Sequence, residues 1–453
     1  MAMLNPSDVL SSGLAEHLFS TSRELIPDIN DYYEMELAFY ENQLLDDQEL
    51  LQNAAYFAKV GDSATRHFQM CAGESLKLPG HSSSRLKSFF EKNIFRTGYA
   101  THGLFPYRGK FHPQMVKGIL NVMGLKPGDT VVDPMMGSGT VAVEATLMGI
   151  NSLGFDASPF CRFMTQTKLD ALTMPLGRAR KAVDNVEVVF EYFGKRGSPI
   201  SGRKSARTAY LHYADEVMEE PTEYLTGALR SPKGIDRETA ETYGFLLLAY
   251  LDAAGYSERS TRKTPIDQFR AILDRYVFVA DKIQTFLRHD HAALGHARVS
   301  QGDARSMPIA DASADGILFS PPYSFAIDYL DNDAFHLNYL GVDLEQLQES
   351  MVGLRGKSLL EKFAFYQDDM NRVIAECSRV LKCGKFCTII VGTNNNQIGK
   401  ILKQSPCEVE GLDAMLVRMG QETGLSLIRT MQRNIIGMSN TMRREQILLL
   451  QKK

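Results

Sequence analysis

Hydrophobic positions follow different rules in different parts of this chain. Within residues 1–95, Tyr32, Tyr33, Leu37, Tyr40, Leu44, Leu45, Leu50 and Leu51 recur at helical spacing, which predicts an amphipathic helical extension with no identifiable chemistry. From Thr101 onward the pattern changes to short apolar runs ending in turn residues: Thr130-Val131-Val132, Ser152–Phe155, Gly316–Phe319 and Phe386–Val391. Runs this short, alternating with helical patterns such as 367–381, are those of buried strands in an open α/β sheet. After Asp156 the chain leaves for a long insertion, and Ala297–Ser300 resumes the sheet. In the insertion Thr264-Pro265 reads as an N-cap followed by proline at the first helical position. The helix it opens places Phe269, Ile272, Leu273, Tyr276, Val277, Ala280, Ile283 and Phe286 on one face, a core stripe and not a ligand site. Two last runs, Leu425–Met431 and Gln446–Gln451, predict an antiparallel hairpin. The expected fold is therefore α/β, a doubly wound, mostly parallel sheet with a C-terminal antiparallel hairpin. Residues 1–95 form the helical extension, 96–170 and 297–453 the core, and 171–296 a mostly helical insert.

Three local patterns carry chemistry. Ser320-Pro321-Pro322-Tyr323 follows directly on the run Gly316–Phe319, where an open sheet places its ligands. Paired prolines stop further strand pairing and fix the backbone. The segment then offers a hydroxyl, a carbonyl and an aromatic face, which suit a planar group bearing an exocyclic NH2. Second, Asp133-Pro134-Met135-Met136-Gly137-Ser138-Gly139-Thr140 joins a strand pattern to a helical one. Gly137 and Gly139 allow a tight turn and close approach of a ligand, and the helix start presents free N–H groups. No lysine follows Gly139, which disfavours a nucleoside triphosphate. Third, Asp156 ends the next run, where an acid can hydrogen-bond two ribose hydroxyls.

In this combination the chain resembles the S-adenosylmethionine-dependent amino-methyltransferases, which methylate N4 of cytosine or N6 of adenine in DNA. Lys110-Phe111-His112-Pro113-Gln114 is similar to the family's segment that closes over the methionine end of the cofactor. Residues 133–140 resemble the cofactor loop usually written DPFxGSGT, with Met135 where phenylalanine is commoner, a replacement that fills a similar apolar gap. Asp156 matches the ribose acid, Gly302-Asp303-Ala304 the acid facing the adenine amine, and Ser320–Tyr323 the catalytic loop. Asp328 and Tyr329 fall in the region that lies against the substrate base. The resemblance covers roughly residues 100–170 and 297–452 and implies a Rossmann-like methyltransferase fold. It also implies S-adenosyl-L-methionine as cofactor, double-stranded DNA as partner, and a cognate restriction or defence nuclease as a candidate partner. Serine at the head of the catalytic loop favours N4 of cytosine within that family. Adenine N6, an RNA substrate and a catalytically silent binding module are the alternatives; a protein-glutamine methyltransferase would begin the loop with asparagine.

Composition adds limits. At 453 residues, 44% hydrophobic and 23% charged, the chain has ample core for more than one compact unit. Its six cysteines contain no CxxC pair, which implies a reducing compartment, and the start Met1-Ala2-Met3-Leu4 lacks a basic region, so a cytoplasmic protein off the membrane is expected. No metal is expected: His289, Asp290, His291 and His296 read as an exposed helix end, and Cys383 with Cys387 has no second ligand pair. The formal charge of −4 is unevenly spread. Residues 28–49 are acid-rich, whereas Lys195, Arg196, Arg203, Lys204 and Arg207 lie among Gly, Ser and Pro without an acid. A second cluster, Arg259, Arg262 and Lys263, precedes the long helix. Both are candidate phosphate contacts.

Overall fold

The computed structural model describes residues 18–27, 29, 31–72, 97–107, 109–196, 236–257, 263–322, 329–434 and 444–453. Helices Tyr32–Leu44, Asp47–Asn53 and Arg66–Cys71 occupy the N-terminal region, as the apolar spacing predicts. They enclose a small antiparallel sheet, β1 (Arg23–Leu25), β2 (Phe57–Val60) and β3 (Ser63–Ala64), that the sequence pattern does not reveal. Strands of two to four residues are too short for alternation to register.

The remaining strands are β4 (Thr130–Asp133), β5 (Asn151–Asp156), β6 (Ala297–Gln301), β7 (Ala314–Phe319), β8 (Leu381–Gly392), β9 (Leu425–Asn434) and β10 (Arg444–Lys452). They form one sheet in the order β6-β5-β4-β7-β8-β10-β9. From β6 to β8 every pairing is parallel, while β10 runs antiparallel to both β8 and β9. This is the doubly wound sheet with its closing hairpin. Successive residues of each strand serve opposite faces. Val132, Ile317, Phe319, Ile389 and Leu448 join a core with the helices Leu359–Val380 and Leu412–Glu422. Val131, Leu318, Ile390, Ile447 and Leu449 join another with helix Pro113–Val122, helix Thr140–Leu147 and the N-terminal region.

Connectivity reverses between β4 and β7: from β4 the chain moves one way to β5 and β6, then returns to β7 on the other side. Such a switch point opens a crevice beyond the carboxyl ends of the strands. The insertion helices Gly177–Asp184, Val186–Arg196, Arg237–Ser257 and Pro265–Asp290 pack into a third core beside this crevice. They share it with Phe160, Phe163 and Met164 of helix Pro159–Asp170, and with Leu330 and Leu337 of helix Tyr329–Tyr339. Thr264 caps its helix as read from the sequence, its hydroxyl accepting from Asp267 N–H at 3.2 Å. Asp290, read as part of an exposed helix end, is paired with Arg66 at 2.5 Å. Among the described residues no group of three His, Cys, Asp or Glu could hold a metal ion, and no helix is long and apolar enough to cross a membrane.

Candidate active site at the switch point

The loop after β4 is built by short-range bonds. Met136 N–H donates to the Phe155 carbonyl at 2.9 Å, and Gly139 N–H returns to the Met136 carbonyl at 2.8 Å. Gly137 and Gly139 have φ of +48° and +73°, in the left-handed region that favours glycine. At Gly139 a Cβ would also fall 2.3 Å from Thr165 Cγ2, so only glycine fits. Asp133 is buried at the strand end and accepts from Met135 N–H at 3.1 Å. Burial pushes its carboxyl well above the usual carboxylate range. Asp156 ties the two strand ends together, Oδ2 accepting from Gly137 N–H at 2.9 Å and Oδ1 from Ser158 N–H at 2.8 Å. Its carboxyl is raised by burial and lowered by these two bonds, with burial prevailing.

One pocket gathers residues from all three sequence patterns. Pro134, Met135, Gly137, Ser138 and Thr140 line it from the loop, Asp156 and Asp303 from the ends of β5 and β6, and Ser320 and Pro322 from the end of β7. Lys110 and Phe111 line it as well. Lys110 is anchored, its Nζ donating to the Thr97 and His102 carbonyls at 3.0 and 2.8 Å. Asp303 is gripped by Arg305, with Nε to Oδ1 at 2.8 Å and Nη2 to Oδ2 at 2.9 Å. Burial would raise its carboxyl, but the Arg305 bonds prevail and hold it below the usual range. Ser320 Oγ lies 3.5 Å from the Pro321 carbonyl.

Other expected residues do not line the pocket themselves. Asp133, Gly139 and Pro321 do not line the pocket, nor do His112 and Pro113, which start helix Pro113–Val122. Tyr323, Asp328, Arg203, Lys204 and Arg207 lie outside the described residues, as do the side chains of Tyr329, Lys195 and Arg196.

Two polar lining residues, Tyr107 and Asp333, were not singled out from the sequence. Tyr107 has Cε1 3.6 Å from where a Gly137 Cβ would sit, and its hydroxyl accepts from Cys161 Sγ at 3.4 Å. Asp333, on helix Tyr329–Tyr339, completes a lining of three carboxylates with Asp156 and Asp303. Tyr107 adjoins the Lys110 segment and could have been found from that proximity. Asp333 belongs to no motif.

S-adenosylmethionine fits this set of groups. It carries two positive charges and one negative, which suits three carboxylates and one lysine, and the close turn at Gly137 leaves room for a ligand against the main chain. Residues 104–190 match the family described as "RMKL-like, methyltransferase domain". The chain is 48% identical over 68 residues to the type II methyltransferase M.MjaII of Methanocaldococcus jannaschii, covering 15% of this chain and 13% of that one. It is 23% identical over 286 residues to the type II methyltransferase M.BsoBI of Geobacillus stearothermophilus, covering 55% and 54%. A tRNA (guanine(10)-N2)-dimethyltransferase of Methanothermobacter thermautotrophicus is 38% identical over 52 residues, covering 12% and 16%. The chain thus spans little more than half the length of one relative and less than a fifth of the other two. Sheet order and matched segment together define a Rossmann-like methyltransferase domain whose cofactor is S-adenosylmethionine.

Proposed function

We propose that this chain is a site-specific DNA methyltransferase acting on the exocyclic N4 of cytosine in duplex DNA, by base flipping and direct transfer. The observation that carries this reading is the convergence of Ser320 and Pro322 on the pocket that also holds the glycine loop and Asp156. When bound, S-adenosylmethionine supplies an electrophilic methyl group. The glycine loop, Asp156 and the Lys110-Phe111 segment bind it, and Asp303 stands on the adenine side. Ser320 Oγ and the Pro321 carbonyl act as acceptors for the hydrogens of the target amine. At 3.5 Å their mutual contact is at the outer limit of a hydrogen bond, so the amine can replace it. Withdrawing those hydrogens raises electron density on the nitrogen, and Tyr323 offers the stacking face for an extruded base. Positioning and fixed dipoles provide the acceleration. The resemblance to type II methyltransferases and the serine heading the loop support DNA and N4. Adenine N6 is the second target compatible with the same acceptors, and the tRNA methyltransferase relative keeps RNA as a rival substrate.

Purified protein and labelled cofactor, incubated with DNA and separately with RNA, should place label on N4-methylcytosine from DNA, read by mass spectrometry of nucleosides. Label on N6-methyladenine alone would overturn the cytosine assignment. Label on RNA alone would overturn the DNA substrate.

A further inference from the structure

We propose that Thr165 and Lys168, on helix Pro159–Asp170, are positioning residues that set the glycine loop to receive the carboxylate end of the cofactor. This rests on the cofactor reading above. Thr165 Oγ1 donates to the Gly137 carbonyl at 3.2 Å, and Lys168 Nζ donates to the Ser138 carbonyl at 3.0 Å. Both side chains are fully buried. The two consecutive carbonyls of the turn are thus held by one helix. In a trans peptide the C=O and N–H point in opposite directions. Fixing the Gly137 carbonyl therefore turns the Ser138 N–H away from that helix, and fixing the Ser138 carbonyl keeps the Gly139 N–H on Met136. Among the described residues nothing accepts from the Ser138 N–H. A donor fixed at the start of helix Thr140–Leu147 suits an anion.

The charge behind the loop points to the same ligand group. Among the described residues no carboxylate lies within 4.0 Å of Lys168 Nζ. The groups that act on it at longer range are Lys110, Cys161, Asp252 and His102. Burial pushes the Lys168 ammonium well below its ordinary value, Lys110 adds to this, and Cys161 and Asp252 oppose it. A carboxylate received at the Ser138 N–H would stand one peptide away from this buried amine and favour its protonated form. S-adenosylmethionine has such a group, and its decarboxylated analogue lacks it.

Calorimetry with these two ligands on the full chain separates the role from general loss of structure. The parent should bind S-adenosylmethionine more tightly than decarboxylated S-adenosylmethionine. In Lys168→Met the preference should fall about tenfold, through loss of affinity for the carboxylate form. Thr165→Val, which keeps side-chain shape but loses the hydroxyl, should shift the preference the same way, and Thr165→Ser should restore it. Far-UV circular dichroism checks the fold of each variant, and if Lys168→Met fails to fold the Thr165 pair decides. A parent that binds neither ligand would remove the cofactor reading and this proposal together. A parent that binds S-adenosylmethionine, with folded variants that keep its preference, would remove this proposal alone.

Discussion

Glu144 and His102 meet in the interior although 42 positions separate them in the chain. The Glu144 Oε1 atom lies 2.6 Å from His102 Nε2 and accepts from Tyr99 OH at 2.5 Å, while Lys117 Nζ stands 3.7 Å from Oε2. Burial alone would raise Glu144, but the His102 bond and the Lys117 charge bring it down to about 2. Burial takes His102 the other way, down to about 4, and the Glu144 bond opposes it only in part. Because the folded-state value lies below the ordinary 6.5, the unfolded chain binds a proton at this histidine before the folded chain does. Its contribution to stability is complete above about pH 6.5, falls as the pH drops toward 4, and is then lost. The distance from 6.5 to about 4 corresponds to about 3 kcal/mol. The difference in chemical denaturation between the parent and His102→Gln, which keeps a donor for Glu144, should carry this slope between pH 4 and 7, on top of the opposite slopes of Glu41 and Asp170, whose carboxyls burial raises to about 7. None of this network was legible in the sequence, because its members come from separate elements. The glycine loop and Asp156 were legible because a positive φ and a strand tip leave local signatures in residue type.

At the scale of elements, the N-terminal region is attached to the core through one buried acid as well as through apolar packing. Glu41, counted in the sequence among the acids of residues 28–49, is fully buried. Its carboxyl accepts from Ala55 N–H at 2.9 Å, Tyr56 N–H at 3.1 Å and Asn121 Nδ2 at 2.7 Å. The bond to Asn121 joins helix Tyr32–Leu44 to helix Pro113–Val122, just after the Lys110 segment. Glu41→Ala would leave three buried donors without this acceptor, so it should destabilise the fold by about 3 kcal/mol or more. Glu41→Gln should cost less, since it keeps one acceptor oxygen. Denaturant midpoints of the two variants check the order. Helix and strand positions were read well where caps or apolar runs stood out, as at Thr264-Pro265 and Gly316–Phe319. Strand β8 begins at Leu381, earlier than the run Phe386–Val391 suggests, because the pairing of Leu381 with Ala314 holds a segment that reads as a turn. Helix Leu359–Val380 likewise starts before the expected residue 367, at a capping box of Ser358 and Glu361.

For the whole molecule, a net charge of −4 means that attraction to a nucleic-acid backbone has to come from local clusters. One cluster follows in sequence on a helix that touches the pocket's wall. Helix Val186–Arg196 leads into residues 197–207, and its Phe193 carbonyl accepts from Tyr339 OH at 2.9 Å. Tyr339 belongs to the helix whose Leu330, Asp333 and Leu337 line the pocket. We expect Arg203, Lys204 and Arg207 to make phosphate contacts, each of which adds about 0.9 to the steepness of log affinity against log salt on duplex DNA. Replacing all three with glutamine should weaken binding to every sequence alike and reduce that slope by up to about 3. Affinity for S-adenosylmethionine should stay unchanged, because cofactor binding is assigned to the glycine loop, Asp156 and the Lys110-Phe111 segment. Fluorescence anisotropy over a range of salt concentrations measures both quantities. Equal slopes for parent and triple variant would show that these residues make no phosphate contact, and would move the search for the duplex surface to the helices packed around Tyr339.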